Sequence, residues 1–263
     1  MQKYTDNIEK TRNTDKQLAF YNLLSDFIDS VDEDNLKKIN TFPVYATRQV
    51  ITSFIERYEL YKLCKNVPGS IIECGVAAGG GLMSFAHFAS IFEPYHYVRK
   101  IIGFDTFEGF VHISDEDKTS KADHLKLGGL KYDSYETLKK SIDLYNMNRA
   151  LGHIEKIELI KGDISVTLPE YVKSNPSLVV SLLYMDMDLY KPTVDTLKIL
   201  KDRLPRGAII AFDELNHSDY PGETIAVMEA LGINNLNLRR FDLSSMMSYA
   251  FIVENMPLDI QVF

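Results

Sequence analysis

Residues 178–221 read LVVSLLYMDMDLYKPTVDTLKILKDRLPRGAIIAFDELNHSDYP, and each of the two apolar runs in this stretch ends in acids, Asp186 with Asp188 and Asp213 with Glu214. Runs this apolar are strands buried on both faces, and the segment between them reads as a helix that Tyr190 and Pro192 turn into. Two parallel strands joined by a helix must end on the same rim of their sheet, the rim where open α/β folds hold ligands. The stretch therefore demands a parallel α/β domain, and it places carboxylates where a divalent cation could sit beside a ligand crevice.

The rest of the chain supplies the other strands. From Ser70 onward β and α patterns alternate, with strands expected at Ser70–Cys74, Lys100–Phe104, Ile157–Ile160, Leu178–Met185 and Ala208–Phe212. After a helix near Thr224–Leu231, the runs Asn237–Phe241 and Ser248–Val253 lie too close together for a crossover helix, so they are expected to pair as an antiparallel hairpin. A mostly parallel sheet closed by such a hairpin is similar to the class I methyltransferase (Rossmann-like) fold. Ahead of it, Leu18, Phe20, Leu23, Leu24, Phe27 and Ile28 recur at helical spacing, and a second helix is expected from Thr47 to Lys65, stopped by Val67-Pro68-Gly69. The expected organisation is an N-terminal helical extension over 1–66, serving as lid or interface, and a ligand-binding domain over 67–263. The polar stretch 111–132 with Gly128-Gly129 is expected to be a mobile loop over the site.

Charge narrows the partners. The 29 basic residues against 37 acidic give a net charge of −8 with no Lys/Arg block, which argues against nucleic acid and against an anionic membrane surface. No apolar run approaches the roughly 18 residues of a membrane span, so a cytoplasmic protein is expected. Cys64 and Cys74 are the two cysteines, one in an expected helix and one in an expected strand, and both read as plain reduced thiols. A symmetric dimer is the default assembly.

Other strand ends carry acids as well. Ile71-Ile72-Glu73-Cys74-Gly75 leads into Val76-Ala77-Ala78 and the glycines 79–81, a strand followed by a tight turn and a helix N-terminus that a ligand can approach closely. The spacing is not the G-x-G-x-x-G of a dinucleotide site, which argues against a nicotinamide oxidoreductase. Asp105 closes the next strand, where a carboxylate can accept both ribose hydroxyls, and Asp163 follows the third within reach of an adenine amino group; either could instead be a helix cap or surface acid.

On these residues the chain resembles the macrocin O-methyltransferase family of sugar methyltransferases: Val67-Pro68-Gly69-Ser70-Ile71-Ile72-Glu73-Cys74-Gly75-Val76, Gly103-Phe104-Asp105-Thr106-Phe107-Glu108-Gly109, Asp186-Met187-Asp188-Leu189-Tyr190 and Asp213-Glu214. The resemblance covers roughly residues 48–230. It implies S-adenosylmethionine as methyl donor, a divalent metal, usually magnesium, and a hydroxyl of a deoxysugar or similar glycan as acceptor. Ala77 and Ala78 stand where the family commonly has an aromatic residue and an arginine, and Glu214 where it has a second aspartate. Glu73, Gly75, Asp105 and Asp163 would then hold the donor.

The residues themselves support a cation. Asp186, Asp213 and Glu214 are hard oxygen ligands with no His or Cys at matching spacing, a set suited to magnesium or calcium rather than zinc. Asp188, on the same face as Asp186 if the strand continues, is an additional ligand, a contact to the acceptor or the general base, and His217, whose unperturbed pKa lies near working pH, is the other candidate base. Two alternatives stay open: methylation of a small phenolic hydroxyl by the same machinery, and a non-catalytic nucleotide-binding or scaffolding module.

Overall fold

The computed structural model describes residues 13–118 and 122–243, with the backbone of 249–252. One sheet organises the chain, built from β1 (Ser70–Cys74), β2 (Ile101–Asp105), β3 (Ile157–Lys161), β4 (Val180–Met185), β5 (Ile209–Phe212), β6 (Leu238–Arg240) and β7 (Tyr249–Ile252). Its order is β3-β2-β1-β4-β5-β7-β6; the first five strands are parallel, while β7 pairs antiparallel with both β5 and β6. The expected hairpin is thus present, with β7 threaded between β5 and β6, so that the short β6, whose Arg239 and Arg240 are exposed, forms the edge. Ser248 and Val253, the ends of the expected last strand, lie outside the described residues. Chain order reverses between β1 and β4, which opens a crevice at their C-terminal ends.

Eight helices complete the described chain: α1 (Asp15–Ser30), α2 (Asn35–Asn40), α3 (Arg48–Cys64), α4 (Gly80–Phe92), α5 (Tyr135–Met147), α6 (Ile164–Ser174), α7 (Tyr190–Leu200) and α8 (Pro221–Ala230). Every residue of β1, β4 and β5 is buried because helices cover both faces. On one face Ile71, Leu182, Tyr184 and Ala211 pack with Leu60, Tyr61 and Cys64 of α3 and Leu82 and Phe85 of α4. On the other, Ile72, Cys74, Leu183 and Phe212 pack with Leu168 of α6, Leu197 and Leu200 of α7 and Val227 of α8. So α3 belongs to the layer that covers the sheet, and Thr47 caps it, its hydroxyl accepting from Val50 N at 3.2 Å.

The amphipathic N-terminal segment forms two helices. A capping box between Thr14 and Gln17 starts α1, yet neither α1 nor α2 buries a residue, and Leu23 and Leu36 are exposed. Residues 1–12 lie outside the described set. Among the described residues no helix is long and apolar enough to cross a membrane. Both cysteines are free and buried, and burial pushes the Cys64 thiol up to about 12, which keeps it neutral.

Candidate functional site

A cavity of about 410 Å³ opens at the C-terminal ends of the parallel strands, within the usual range for a small-molecule site. Gly75, Ala77, Asp105, Asp163, Asp186, Asp188, Asp213 and Glu214 all line it. Of the residues singled out from sequence, Glu73 and His217 are not in its wall.

The end of β1 shows why glycine stands at 75. Asp186 N donates to Cys74 O at 2.8 Å, pressing the Asp186 carbonyl against Gly75; a Cβ there would lie 1.7 Å from that oxygen, and φ is +89°. Only glycine meets both demands. The turn is held by Asp105, whose Oδ2 accepts from Val76 N at 2.7 Å and Ala77 N at 2.8 Å while Oδ1 accepts from Phe107 N at 2.6 Å. A carboxylate has about four acceptor sites, so Asp105 keeps little capacity for a ligand. Asp163 has two aspects: it faces the cavity, and its Oδ1 caps α6 by accepting from Ser165 N at 2.9 Å.

Glu73 points through the sheet to the α3 and α4 side. Its carboxyl lies under Gly81, where a Cβ would sit 1.9 Å from Glu73 Oε1 and 2.7 Å from Arg57 Nε. Burial pushes this carboxyl up to about 8, with Arg57 acting in the opposite direction. Glu73 therefore lies buried within the field of the Arg57 guanidinium, outside the cavity wall. Arg57 also lies over the Tyr184 ring, 4.8 Å from its centroid, and Tyr184 donates its hydroxyl to Asp213 Oδ1 at 3.1 Å.

At the ends of β4 and β5 the acids meet one another. The Asp186 carboxyl is held well above its ordinary range by burial and by the charges of Asp213 and Asp188, with Arg57 opposing. Glu223, fully buried at the start of α8, accepts from Glu214 N at 3.0 Å through Oε1; burial and the charges of Asp213, Glu214 and Asp188 push it up likewise. The expectation that Asp186 and Asp188 share one face of a continuing strand is not met: β4 ends at Met185, and Asp188 takes φ +61° in a turn. Both reach the cavity all the same. His217 sits behind Glu214, its Nδ1 3.4 Å from Glu214 Oε2 and accepting from Asp219 N at 3.2 Å. Among the described residues no three of His, Cys, Asp and Glu are gathered so as to hold a metal ion.

Sequence reasoning missed Arg57 of α3 and Glu223 of α8, and the wall residues His112, His124, Tyr132, Lys191 and Ser165. The loop 111–132 was expected over the site, and Val111, His112, His124, Leu130 and Tyr132 line the cavity from it.

The family described as Macrocin-O-methyltransferase (TylF) matches residues 56–232. Among solved structures, that of CalS11, "Calicheamicin Methyltransferase", superposes with a TM-score of 0.87 at 29% identity, covering 93% of this chain and 95% of the other. An apo structure of CalS11, described as TDP-rhamnose 3'-O-methyltransferase, gives a TM-score of 0.79 at 28% identity over 93% and 97% of the two chains. The O-methyltransferase NovP shares the fold, with a TM-score of 0.55 at 20% identity over 75% and 78%. No curated protein sequence matches.

Proposed function

Since the chain belongs to the macrocin O-methyltransferase family, we propose that it transfers the methyl group of S-adenosylmethionine to a sugar hydroxyl, assisted by a divalent cation, with magnesium as first choice. The observation that carries this reading is a single cavity with a glycine turn on one side and four carboxylates, Asp186, Asp188, Asp213 and Glu214, on the other. CalS11, 28% identical, acts on TDP-rhamnose by its description, which supports a nucleotide-linked deoxysugar as the acceptor class.

Within this reading Gly75 and Ala77 let the donor approach the backbone, Asp163 offers its carboxylate to the nucleoside, and the acidic lining favours a cationic sulfonium donor. Asp186, Asp213 and Glu214 would hold the cation: their oxygens are the right donors, and a divalent charge would offset both the burial and the neighbouring carboxylate charge that raise Asp186. Their side chains are not pre-assembled into a ligand set. Once bound, the cation would acidify and orient the acceptor hydroxyl. Asp188, in the cavity wall, is the better placed of the two candidate bases, because His217 meets Glu214 from behind.

The test is to supply S-adenosylmethionine and TDP-rhamnose and follow the methylated sugar and S-adenosylhomocysteine. Transfer is expected, with loss in EDTA and recovery on adding magnesium; Asp213→Asn should keep the fold and S-adenosylhomocysteine binding but lose transfer. Undiminished turnover in EDTA removes the cation from the reading. Preference for a catechol would move the acceptor to small phenols, and a chain that binds neither form of the cofactor by calorimetry is a non-catalytic module.

A further inference from the structure

We propose that Asp117 is a positioning residue that clamps one wall of the cavity onto the N-terminal ends of α7 and α8 and so sets where the acceptor lies against Asp186, Asp188 and Asp213. The inference rests on the methyl-transfer reading and adds to it a residue outside the cavity wall.

The wall is the connection from β2 to α5, which supplies Thr106, Val111, His112, His124, Leu130 and Tyr132 to the lining. Its base is closed by backbone bonds, Phe110 N to Gly129 O at 3.0 Å and Gly128 N to Phe110 O at 2.8 Å. Its exit is tied to the donor side, where Ser134 donates its hydroxyl to Ala77 O. Asp117 makes the tie on the opposite side. Its side chain, 1% exposed, accepts from Ser114 N at 2.9 Å through Oδ2 and from Tyr190 N at 2.9 Å through Oδ1.

Tyr190 is the first residue of α7, and its N-cap residue, Leu189, has no side-chain oxygen to offer; Asp117 supplies from another part of the chain the cap that α7 lacks. Tyr220 makes no side-chain cap for α8 either, and Gly222 in the first turn of that helix lies against the same carboxylate: a Cβ there would be 2.0 Å from Asp117 Oδ1. Two helix N-termini, each with partial positive charge, thus converge on one buried acid.

The residues beside this joint are those of the acid end. Asp188 lies two positions before Tyr190, and Glu223, next to Gly222, accepts from Glu214 N. A buried carboxylate is a costly way to cap a helix where a hydroxyl would serve. What the longer, charged side chain adds is reach across from the wall, so His112, His124 and Tyr132 are held at a set distance from the acids.

Two variants probe the joint from opposite sides, Asp117→Asn by removing charge and one acceptor, and Gly222→Ala by inserting a methyl group against both the unaltered Asp117 Oδ1 and the Tyr190 amide that it accepts from. Steady-state kinetics with the acceptor of the transfer assay, S-adenosylhomocysteine calorimetry and amide exchange of peptides holding Ser114 and Tyr190 are measured together. Both variants are expected to raise the acceptor KM about tenfold, with kcat and S-adenosylhomocysteine affinity within about threefold of wild type and faster exchange in those peptides. A purely structural role would lower the melting temperature and active fraction without splitting acceptor KM from donor affinity. Unchanged acceptor KM in both folded variants overturns the inference. A wild-type chain that transfers no methyl group overturns the methyl-transfer reading instead; the clamp is then judged by exchange, and unchanged exchange at Ser114 and Tyr190 in both variants overturns it.

Discussion

The two halves of the cavity use the same side chain for opposite purposes. At the ends of β2 and β3 the carboxylates are occupied by the protein: Asp105 accepts three backbone N–H groups and Asp163 caps α6. At the ends of β4 and β5 they face each other, and Asp186 and Glu223 are driven well above the usual carboxylate range by burial and by their neighbours' charge. A carboxylate ringed by backbone donors builds a rigid turn; carboxylates buried and crowded by one another's charge carry an electrostatic cost that an incoming cation or proton relieves. On the proposed reading the donor half is thus finished by folding, while the acid half is completed by its ligands.

The comparison breaks most visibly at Asp188. If Asp188 is the base, as proposed, Asp188→Asn should lower kcat on the order of 100-fold or more with little change in melting temperature. A kcat within threefold of wild type would transfer the role to His217 or to solvent. At the donor half the reverse is expected. Asp105→Ala leaves three amides without their acceptor and should lower stability to urea by about 2–4 kcal/mol, an effect of folding before it is one of chemistry. Loss of transfer with unchanged urea stability would mean that Asp105 serves the ligand after all.

Glu73 marks the boundary between the halves, because it is an acid at a strand end that belongs to neither. Its carboxyl is raised from 4.5 to about 8, so the stability tied to its protonated form is complete below 4.5 and is lost as pH rises through 8. Stability of the wild type should fall across that window with a slope contribution of up to about 1.4 kcal/mol per pH unit, and Glu73→Gln should flatten it. The same slope in both proteins, measured by urea unfolding from pH 5 to 8, would remove Glu73 as its source.

The sheet was legible because its signals are local. β1 was expected at Ser70–Cys74 and runs over those residues, and β3 exceeds its expected span by Lys161 alone, since buried parallel strands are continuous apolar runs cut off by glycine, proline and acids. The rim acids were legible for the same reason. What escaped depends on contacts between distant segments. Glu73 faces α3 and α4 beside Arg57, which lies on a helix whose pattern shows an apolar stripe and no sign of the layer it will cover. Asp117 reads as one acid in the polar run Ser114-Asp115-Glu116-Asp117, and its burial follows from Tyr190 and Gly222, more than 70 residues away. Asp188 escaped in another way: strand alternation was extended past the point where β4 stops.

Asp163 tests the contrast with the smallest effect, because it both caps α6 and lines the cavity. As an N-cap its replacement by alanine would cost about 1 kcal/mol whatever else it does, so Asp163→Ala cannot separate cap from ligand contact. Asp163→Ser can: serine caps as well as aspartate and brings no carboxylate. If the cavity-facing oxygen meets the nucleoside, Asp163→Ser should keep urea stability within about 0.5 kcal/mol and weaken S-adenosylhomocysteine by roughly tenfold, the equivalent of about 1.4 kcal/mol. Calorimetry giving wild-type affinity would leave Asp163 a cap and nothing more. The donor half would then have no carboxylate assigned to the cofactor, and donor recognition would fall to the Gly75 turn and the backbone N–H groups around it.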